Sequence, residues 1–273
     1  MKLHIIKKNP LSVSVIMADK LGIFKKNGIN VDLTVQEDFK FAGENPYISG
    51  KSDAIMGDLT FFFYFLEKGK KSVLTSNLTR TIHLIARKGL SQKRDGLVVG
   101  ASRAGMLKLF LENDLKDVLI NTKIVWINNT YDRIEAFNKG EIDALVAIEP
   151  FIDELKEQGG EIIYSTRESK EKMVMWCFDE KFYNENEEKV RLFHKSLEEA
   201  QKLFNNMTEE GKYNVGKDII KYDEISAQRL KKFVFEKSSS VRKEDFDKCV
   251  KWMNKNREIT KLYDSDKLIK EIF

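Results

Sequence analysis

Short runs of alternating apolar and polar residues, separated by stretches with apolar positions three and four apart, fill the first 165 residues of the chain. Leu3, Ile5 and Ile6 predict a strand that stops at Pro10. Ser12 is read as the N-cap of a helix running through Leu21 and Phe24, with Lys25 and Lys26 in its last turn and Gly28 as its stop. Val31, Leu33 and Val35 alternate with Asp32 and Thr34, which predicts a strand at once. Residues 53–57 read as another strand, and Thr60 as the cap of an aromatic helix that ends at Gly69. Residues 72–76 and 82–86 are strands that close this first block. A second series follows, with strands at 97–100, 123–127, 144–148 and 162–164. Helices at 106–113, 131–138 and 151–157 lie between them, the last starting at Pro150, where a missing N–H costs nothing. Repeated β-α-β units with short links predict parallel sheets covered by helices.

After residues 173–178 the pattern changes. Val190, Phe193, Leu197, Ala200 and Phe204 keep helical spacing over five turns. Further helical stretches are read around Ile219 and at 230–235, 246–253 and 268–273. This tail is a charge-rich covering layer for strands that lie earlier. No linker rich in Pro, Gly or Ser separates the blocks, so they are expected to share crossovers.

Composition narrows the function classes. An apolar fraction of 42% with 11% aromatic residues supplies a core and excludes intrinsic disorder. Lys and Arg number 47 against 43 Asp and Glu, and a net charge of +4 argues against a dedicated nucleic-acid binder. The longest apolar run, Phe61 to Leu66, is far short of the roughly 20 residues a bilayer span needs. Lys7-Lys8-Asn9-Pro10 interrupts the start before any signal-peptide core. An extracytoplasmic location is expected if a leader was removed before Met1, and a cytoplasmic one if Met1 is the native start. Two isolated cysteines, Cys177 and Cys249, and three scattered histidines predict no metal, no cofactor and no Cys-His nucleophile. The loop at 100–106 ends in neither Gly-Lys-Ser nor Gly-Lys-Thr, and no G-x-G-x-x-G or G-x-S-x-G is present.

Several local patterns then line up in order. Ala18-Asp19-Lys20-Leu21-Gly22-Ile23-Phe24, continuing through Gly28-Ile29-Asn30-Val31, resembles the opening of type II periplasmic binding proteins of the nitrate, sulfonate and thiamine-pyrimidine-precursor group. Gly50-Lys51-Ser52-Asp53 and Gly140-Glu141-Ile142-Asp143 are similar to that group's G-x-x-D lead-in to a strand, and Glu149-Pro150 follows the second in the usual place. Gly96 to Gly100 resembles the strand that opens the second lobe, and Met173-Val174-Met175 the strand that returns to the first. The likeness runs from about Leu3 to Asn206. It implies an α/β fold of two lobes, with residues 1–88 plus 179–273 as lobe one and 89–178 as lobe two. Crossovers would fall near 87–89 and 178, with a ligand cleft between the lobes. The first loop lacks the Trp and Pro-Asn-His pattern of the pyrimidine-precursor binders, so ligand identity does not carry over.

The cleft loops name the candidate ligand contacts. Asn9 and Ser12 lie at the first helix, Asp58 and Thr60 after the third strand, and Ser76 and Asn77 at the end of a buried strand. Turn chemistry or capping is the alternative for each. Ser102, Arg103 and Gly105 sit in the most informative loop, where small residues let a ligand approach backbone N–H groups. Gly105→Val is therefore expected to weaken binding with little change in apo melting temperature. Asn128 ends a strand, with capping as its alternative. Glu149 could meet an amine or a lobe-lobe partner. Trp176 is either a stacking wall or core, core being the weightier reading, as it is for the aromatic run 61–65. The expectation is a non-enzymatic, monomeric solute-binding protein for a small polar or anionic organic molecule, serving an ABC-type permease. An enzyme on the same fold, in menaquinone- or thiamine-precursor chemistry, and a ligand-sensing module are the alternatives.

Overall fold

The computed structural model describes residues 1–37, 45–79, 82–103, 105–148, 151–167, 169 and 171–272. Its strands are β1 (Lys2–Ile6), β2 (Asp32–Gln36), β3 (Ala54–Asp58), β4 (Ser72–Thr79), β5 (Ile82–Ala86), β6 (Val98–Ala101), β7 (Lys123–Trp126), β8 (Ala144–Ile148), β9 (Glu161–Ser165) and β10 (Val174–Asp179). The helices that bear on the site are α1 (Ser12–Lys20), α2 (Ile23–Lys26), α3 (Leu59–Glu67), α4 (Met106–Leu109), α5 (Thr130–Asn138) and α6 (Ile152–Glu157). The tail carries α7 (Glu180–Glu185), α8 (Glu187–Asn205), α9 (Glu209–Asn214), α10 (Glu224–Arg229), α11 (Lys243–Lys255) and α12 (Ser265–Leu268), with π-helical turns at Phe110–Asp114 and Val215–Ile220. Among the described residues no helix is long and apolar enough to cross a membrane.

The strands form two sheets of five, ordered β2-β1-β3-β10-β4 and β7-β6-β8-β5-β9. Both are mixed rather than parallel. β10 runs antiparallel to β3 and β4, and β5 antiparallel to β8 and β9. These are the two strands that arrive from the other sheet. Each starts at the edge its neighbours run toward, Val174 facing Asp58 and Ile82 facing Ile148, so each must run back. The pairing also moves the expected boundaries. β5 belongs to the second sheet and β10 to the first, so the chain crosses after Thr79 and between Ser165 and Val174, not near 87–89 and 178. A local strand pattern carries no label for the sheet it joins, which is why both crossovers were misplaced by one strand.

Packing explains which helices go where. Val190, Phe193, Leu197, Ala200 and Phe204 of α8 are all buried against the first sheet and α1. Trp176 of β10 meets Phe193 edge-on at 5.0 Å and is 1% exposed. On the other face of the second sheet, Ile134 and Phe137 of α5 pack with Ile152 and Leu155 of α6. A third cluster is continuous between the sheets, joining Phe62, Phe63 and Phe246 to Met106 and Phe110. Each such side chain removed from water contributes roughly 1.5–3 kcal/mol, so α3 and α11 tie the two sheets along one flank. The expected first helix is two, α1 and α2, broken at Gly22 with φ +70°. The stretch expected as helix at 230–235 lies beyond the end of α10 at Arg229.

Candidate functional site

Strand ends of the two sheets face each other, and each side offers a loop with polar backbone groups. On the first sheet, Asp58 ends β3 and caps α3. Its Oδ1 accepts from the N–H of Thr60 at 2.9 Å, the N–H of Phe61 at 3.3 Å and the Thr60 hydroxyl. Its Oδ2 faces the second sheet and accepts from the Met106 N–H at 3.4 Å. Burial raises the Asp58 carboxyl above the usual carboxylate range, and these donors hold it partly down. The carboxylate thus closes its own helix start and reaches across the seam.

On the second sheet, β6 runs into the 101–106 loop and β7 into Asn128 and Asn129. Asn128 Oδ1 accepts from the Arg103 N–H at 2.9 Å and lies 3.5 Å from Ser102 Oγ, which joins the two loops. The exposed Arg103 guanidinium lies over the Trp126 ring at 5.6 Å. Asn129 caps α5, accepting from the N–H groups of Tyr131 at 2.8 Å and Asp132 at 3.3 Å. Behind this loop, Arg133 is fully buried and donates to the carbonyls of Ile127 at 2.7 Å and Asn128 at 3.0 Å.

A second bridge crosses the seam at its rim. Arg229 of α10, a tail helix whose buried Ala227 joins the core cluster of the first sheet, donates to both oxygens of Glu154 on α6 at 2.6 and 3.2 Å. Its guanidinium stands over Tyr131 at 5.2 Å and Phe151 at 5.0 Å. An open depression of about 540 Å³ lies elsewhere, between the Phe110–Asp114 turn and α11. Glu112, Lys116, Asp247, Lys251 and Lys255 line it, a mixed surface built from helices rather than strand ends.

No protein-family model and no curated protein matches the sequence. Solved structures do. The periplasmic aliphatic sulphonate binding protein SsuA from Escherichia coli superposes with a TM-score of 0.77 at 13% identity, over 98% of this chain and 92% of that one. The alkanesulfonate-binding protein SsuA from Xanthomonas axonopodis pv. citri, bound to MOPS, gives 0.72 at 10% identity over 99% and 98%. The desulfurization enzyme DSZB gives 0.61 at 11% identity over 98% and 95%. The chain has the two-lobe periplasmic-binding-protein fold.

Within this fold the interlobe edge gathers some of the expected residues and not others. Asp58, Thr60, Ser102, Arg103, Gly105 and Asn128 lie at the seam. Asn9 is in the loop before α1, where its Oδ1 accepts from the Leu11 N–H at 3.0 Å. Glu149 lies outside the described residues. Three residues belong to the interior. Trp176 is core, as the aromatic packing above requires. Ser76 is buried with its hydroxyl 3.3 Å from His194 Nδ1, and Asn77 is buried in bonds to Ser239 and Ser240 of the tail. A buried strand end in this fold meets the tail as readily as the seam, and the tail's path was invisible in the local pattern.

The caps also differ from expectation. Leu11, not Ser12, precedes α1, and Ser12 is its first residue, with a buried hydroxyl that has no partner among the described residues. Asp58, not Thr60, caps α3. Gly105 has φ +75°, and a Cβ there would come within 3.0 Å of Asp58 Oδ2. A Gly105→Val change therefore strains the backbone as well as filling space, so apo stability would fall too. Sequence reasoning missed Arg133 and Arg229. Arg133 lies in a stretch read as a helix and Arg229 just before one, and neither carries a local signal of its own.

Proposed function

We propose that the protein is a solute-binding protein that holds a small polar or anionic organic molecule between its lobes and presents the closed form to an ABC-type permease. The observation that carries this reading is the seam itself. The chain crosses between the two sheets twice, and the two sides meet through side-chain bonds, Asp58 to Met106 between loops and Arg229 to Glu154 between helices at the rim, that hinge opening would break. The sulfonate-binding names of two structural neighbours, and the ABC-type import system named for a third, support this reading. Ligand entry would replace the Asp58–Met106 bond with bonds to both loops, and closure would re-form the Arg229 bridge at the rim. Asp58, Thr60, Ser102, Arg103, Gly105 and Asn128 are the proposed contacts, with Asn9 at the first loop. Cys177 is buried and its thiol is pushed up to about 12, so it offers no ready nucleophile.

A thermal-shift screen over small sulfonates, carboxylates, phosphates, amines and sugars, followed by calorimetry and small-angle scattering, tests the reading. A ligand at a hundred times its Kd should add about 2.7 kcal/mol of stability and lower the radius of gyration. Binding without compaction, or chemical turnover of the bound compound, would contradict it, and turnover would favour an enzyme on this fold.

A further inference from the structure

Arg133 is a buried cation with no carboxylate partner among the described residues. Its side chain is fully enclosed, yet among the described residues it donates to neutral oxygens only: Nη1 to the carbonyls of Ile127 and Asn128, and Nη2 to Thr130 Oγ1 at 3.1 Å. Its Nε has no acceptor, and among the described residues no carboxylate pairs with it. Burial draws its pKa down to about 10, so it stays charged at neutral pH. An enclosed unpaired charge is strongly unfavourable unless something nearby supplies the opposite sign.

Peptide geometry says where that sign would come from. In a trans peptide the C=O and N–H point in opposite directions. Arg133 holds the carbonyls of Ile127 and Asn128 toward itself, so the N–H groups of Asn128 and Asn129 turn away from it. Neither N–H has an acceptor among the described residues, and both residues are exposed. They are distinct from the α5 start, whose donors the Asn129 side chain already takes. Arg103 stands beside them, its N–H on Asn128 Oδ1 and its guanidinium exposed.

We propose that the outward N–H groups of Asn128 and Asn129 are the seat for a ligand oxyanion, whether carboxylate, sulfonate or phosphate, and that Arg133 is its positioning residue. Arg133 does not touch the ligand; it fixes the two peptides and supplies positive potential from behind. This rests on the solute-binding reading and deepens it. The ligand's acidic end lies on the second lobe, and the Asp58 carboxylate of the first lobe faces a part of the ligand that carries no negative charge.

Amide NMR of deuterated, ¹⁵N-labelled full-length protein tests the seat directly, with methanesulfonate and acetate as probes and tetramethylammonium as a cation control at constant chloride. Saturable shifts of the Asn128 and Asn129 amides are expected with the anions and none with the cation. Arg133→Lys should weaken the response about tenfold and Arg133→Met about a hundredfold. If Arg133→Met does not fold, the wild-type titration and Arg133→Lys still decide. Anion shifts centred on other amides, with 128 and 129 silent, overturn the seat and leave the solute-binding reading standing. Unchanged affinity in both variants reduces Arg133 to a clamp on two carbonyls and overturns it as well. A thermal-shift hit from a non-acidic class with no anion response overturns the oxyanion assignment alone, whereas no hit from any class removes both readings.

Discussion

The loop of the first lobe and the loop of the second solve the same local problem with opposite charges. At Asp58 a carboxylate occupies the free N–H groups of its own helix and then extends across the seam. At Asn129 a neutral amide does the capping, and a buried guanidinium sits behind the loop instead. The first arrangement leaves its loop electronegative and its donors occupied. The second leaves two backbone donors without an acceptor among the described residues, beside positive charge. A ligand bridging the lobes would therefore meet a polarised slot, and its orientation would follow from charge before shape is considered.

Each lobe also buries one neutral histidine, which gives the most forceful way to compare their stabilities. Burial draws His83 of the second sheet down to about 4 and His194, packed on the first, down to about 3, both from 6.5. The unfolded chain takes up these protons at higher pH than the folded one. Stability is thus complete above 6.5 and is lost as pH falls, down to about 4 for His83 and about 3 for His194. At pH 5 each histidine should remove about 2 kcal/mol relative to pH 7.5. Denaturant melts across pH 4–8 should flatten in His83→Leu and in His194→Leu, and flatten further in the double variant. The lobes part company at pH 7. Neither ring nitrogen of His83 has a partner among the described residues, so His83→Leu should cost little there. His194→Leu leaves the hydroxyls of Thr75 and Ser76 short of a partner and should cost about 1–3 kcal/mol. Equal costs at pH 7 would erase this distinction between the lobes.

The two caps give a smaller contrast. Asp58→Ala and Asn129→Ala should each cost about 1 kcal/mol, since each removes a side-chain acceptor from a helix start. Only Asp58→Ala also removes a contact across the seam, so only that variant should widen the radius of gyration of the apo protein. Asp58→Asn sharpens the point. Burial raises the Asp58 pKa, so the folded chain holds this proton more tightly than the unfolded chain does. Its contribution favours folding at low pH and declines as pH rises from 3.8, opposite in sign to the histidines. Asp58→Asn should remove that decline, and an unaltered pH profile would mean the carboxylate is solvated in solution.

How much of this was legible beforehand follows from what kind of signal each feature leaves. The apolar spacing from Val190 to Phe204 fixes a buried helix face without help from the rest of the chain, and every position is buried. Positions just after strand ends likewise point to the loops in which the fold sets Ser102, Arg103, Gly105, Asn128 and Asp58 near one another. Sheet membership of β5 and β10 was not legible, because strand pairing joins residues 82–86 to 144–148 and 161–165, and no local pattern records a partner so distant. Ser76 and Asn77 failed for the same reason, being held by His194 and by Ser239 and Ser240. Arg133 sits within a stretch read only as a helix, and nothing in its local pattern marks it. Its role depends on two carbonyls whose direction only the folded backbone sets.

The rim bridge gives the smallest expected effect and the finest division between the lobes. Arg229 comes from the first lobe's tail; Glu154, Tyr131 and Phe151 come from the second lobe. The pair is bidentate and partly buried, with side-chain exposures of 14% and 28%. Partial screening by water holds its worth to about 1 kcal/mol. Lys232 and Glu157 form an exposed pair alongside and add little. Because the bridge joins the lobes rather than the interior of either, Arg229→Ala should leave thermal unfolding of each lobe almost unchanged. About 1 kcal/mol acting on a closed–open equilibrium is nonetheless a shift of roughly fivefold. Fluorescence energy transfer between dyes on α5 and α9 should report that shift as a larger open fraction in Arg229→Ala and in Glu154→Ala. The exchange Arg229→Glu with Glu154→Arg should recover part of it, since the charges attract in either order while the stacking on Tyr131 and Phe151 is lost. Equal open fractions in wild type and Arg229→Ala would show that the shared cluster of Phe63, Phe246 and Met106 alone sets the approach of the lobes.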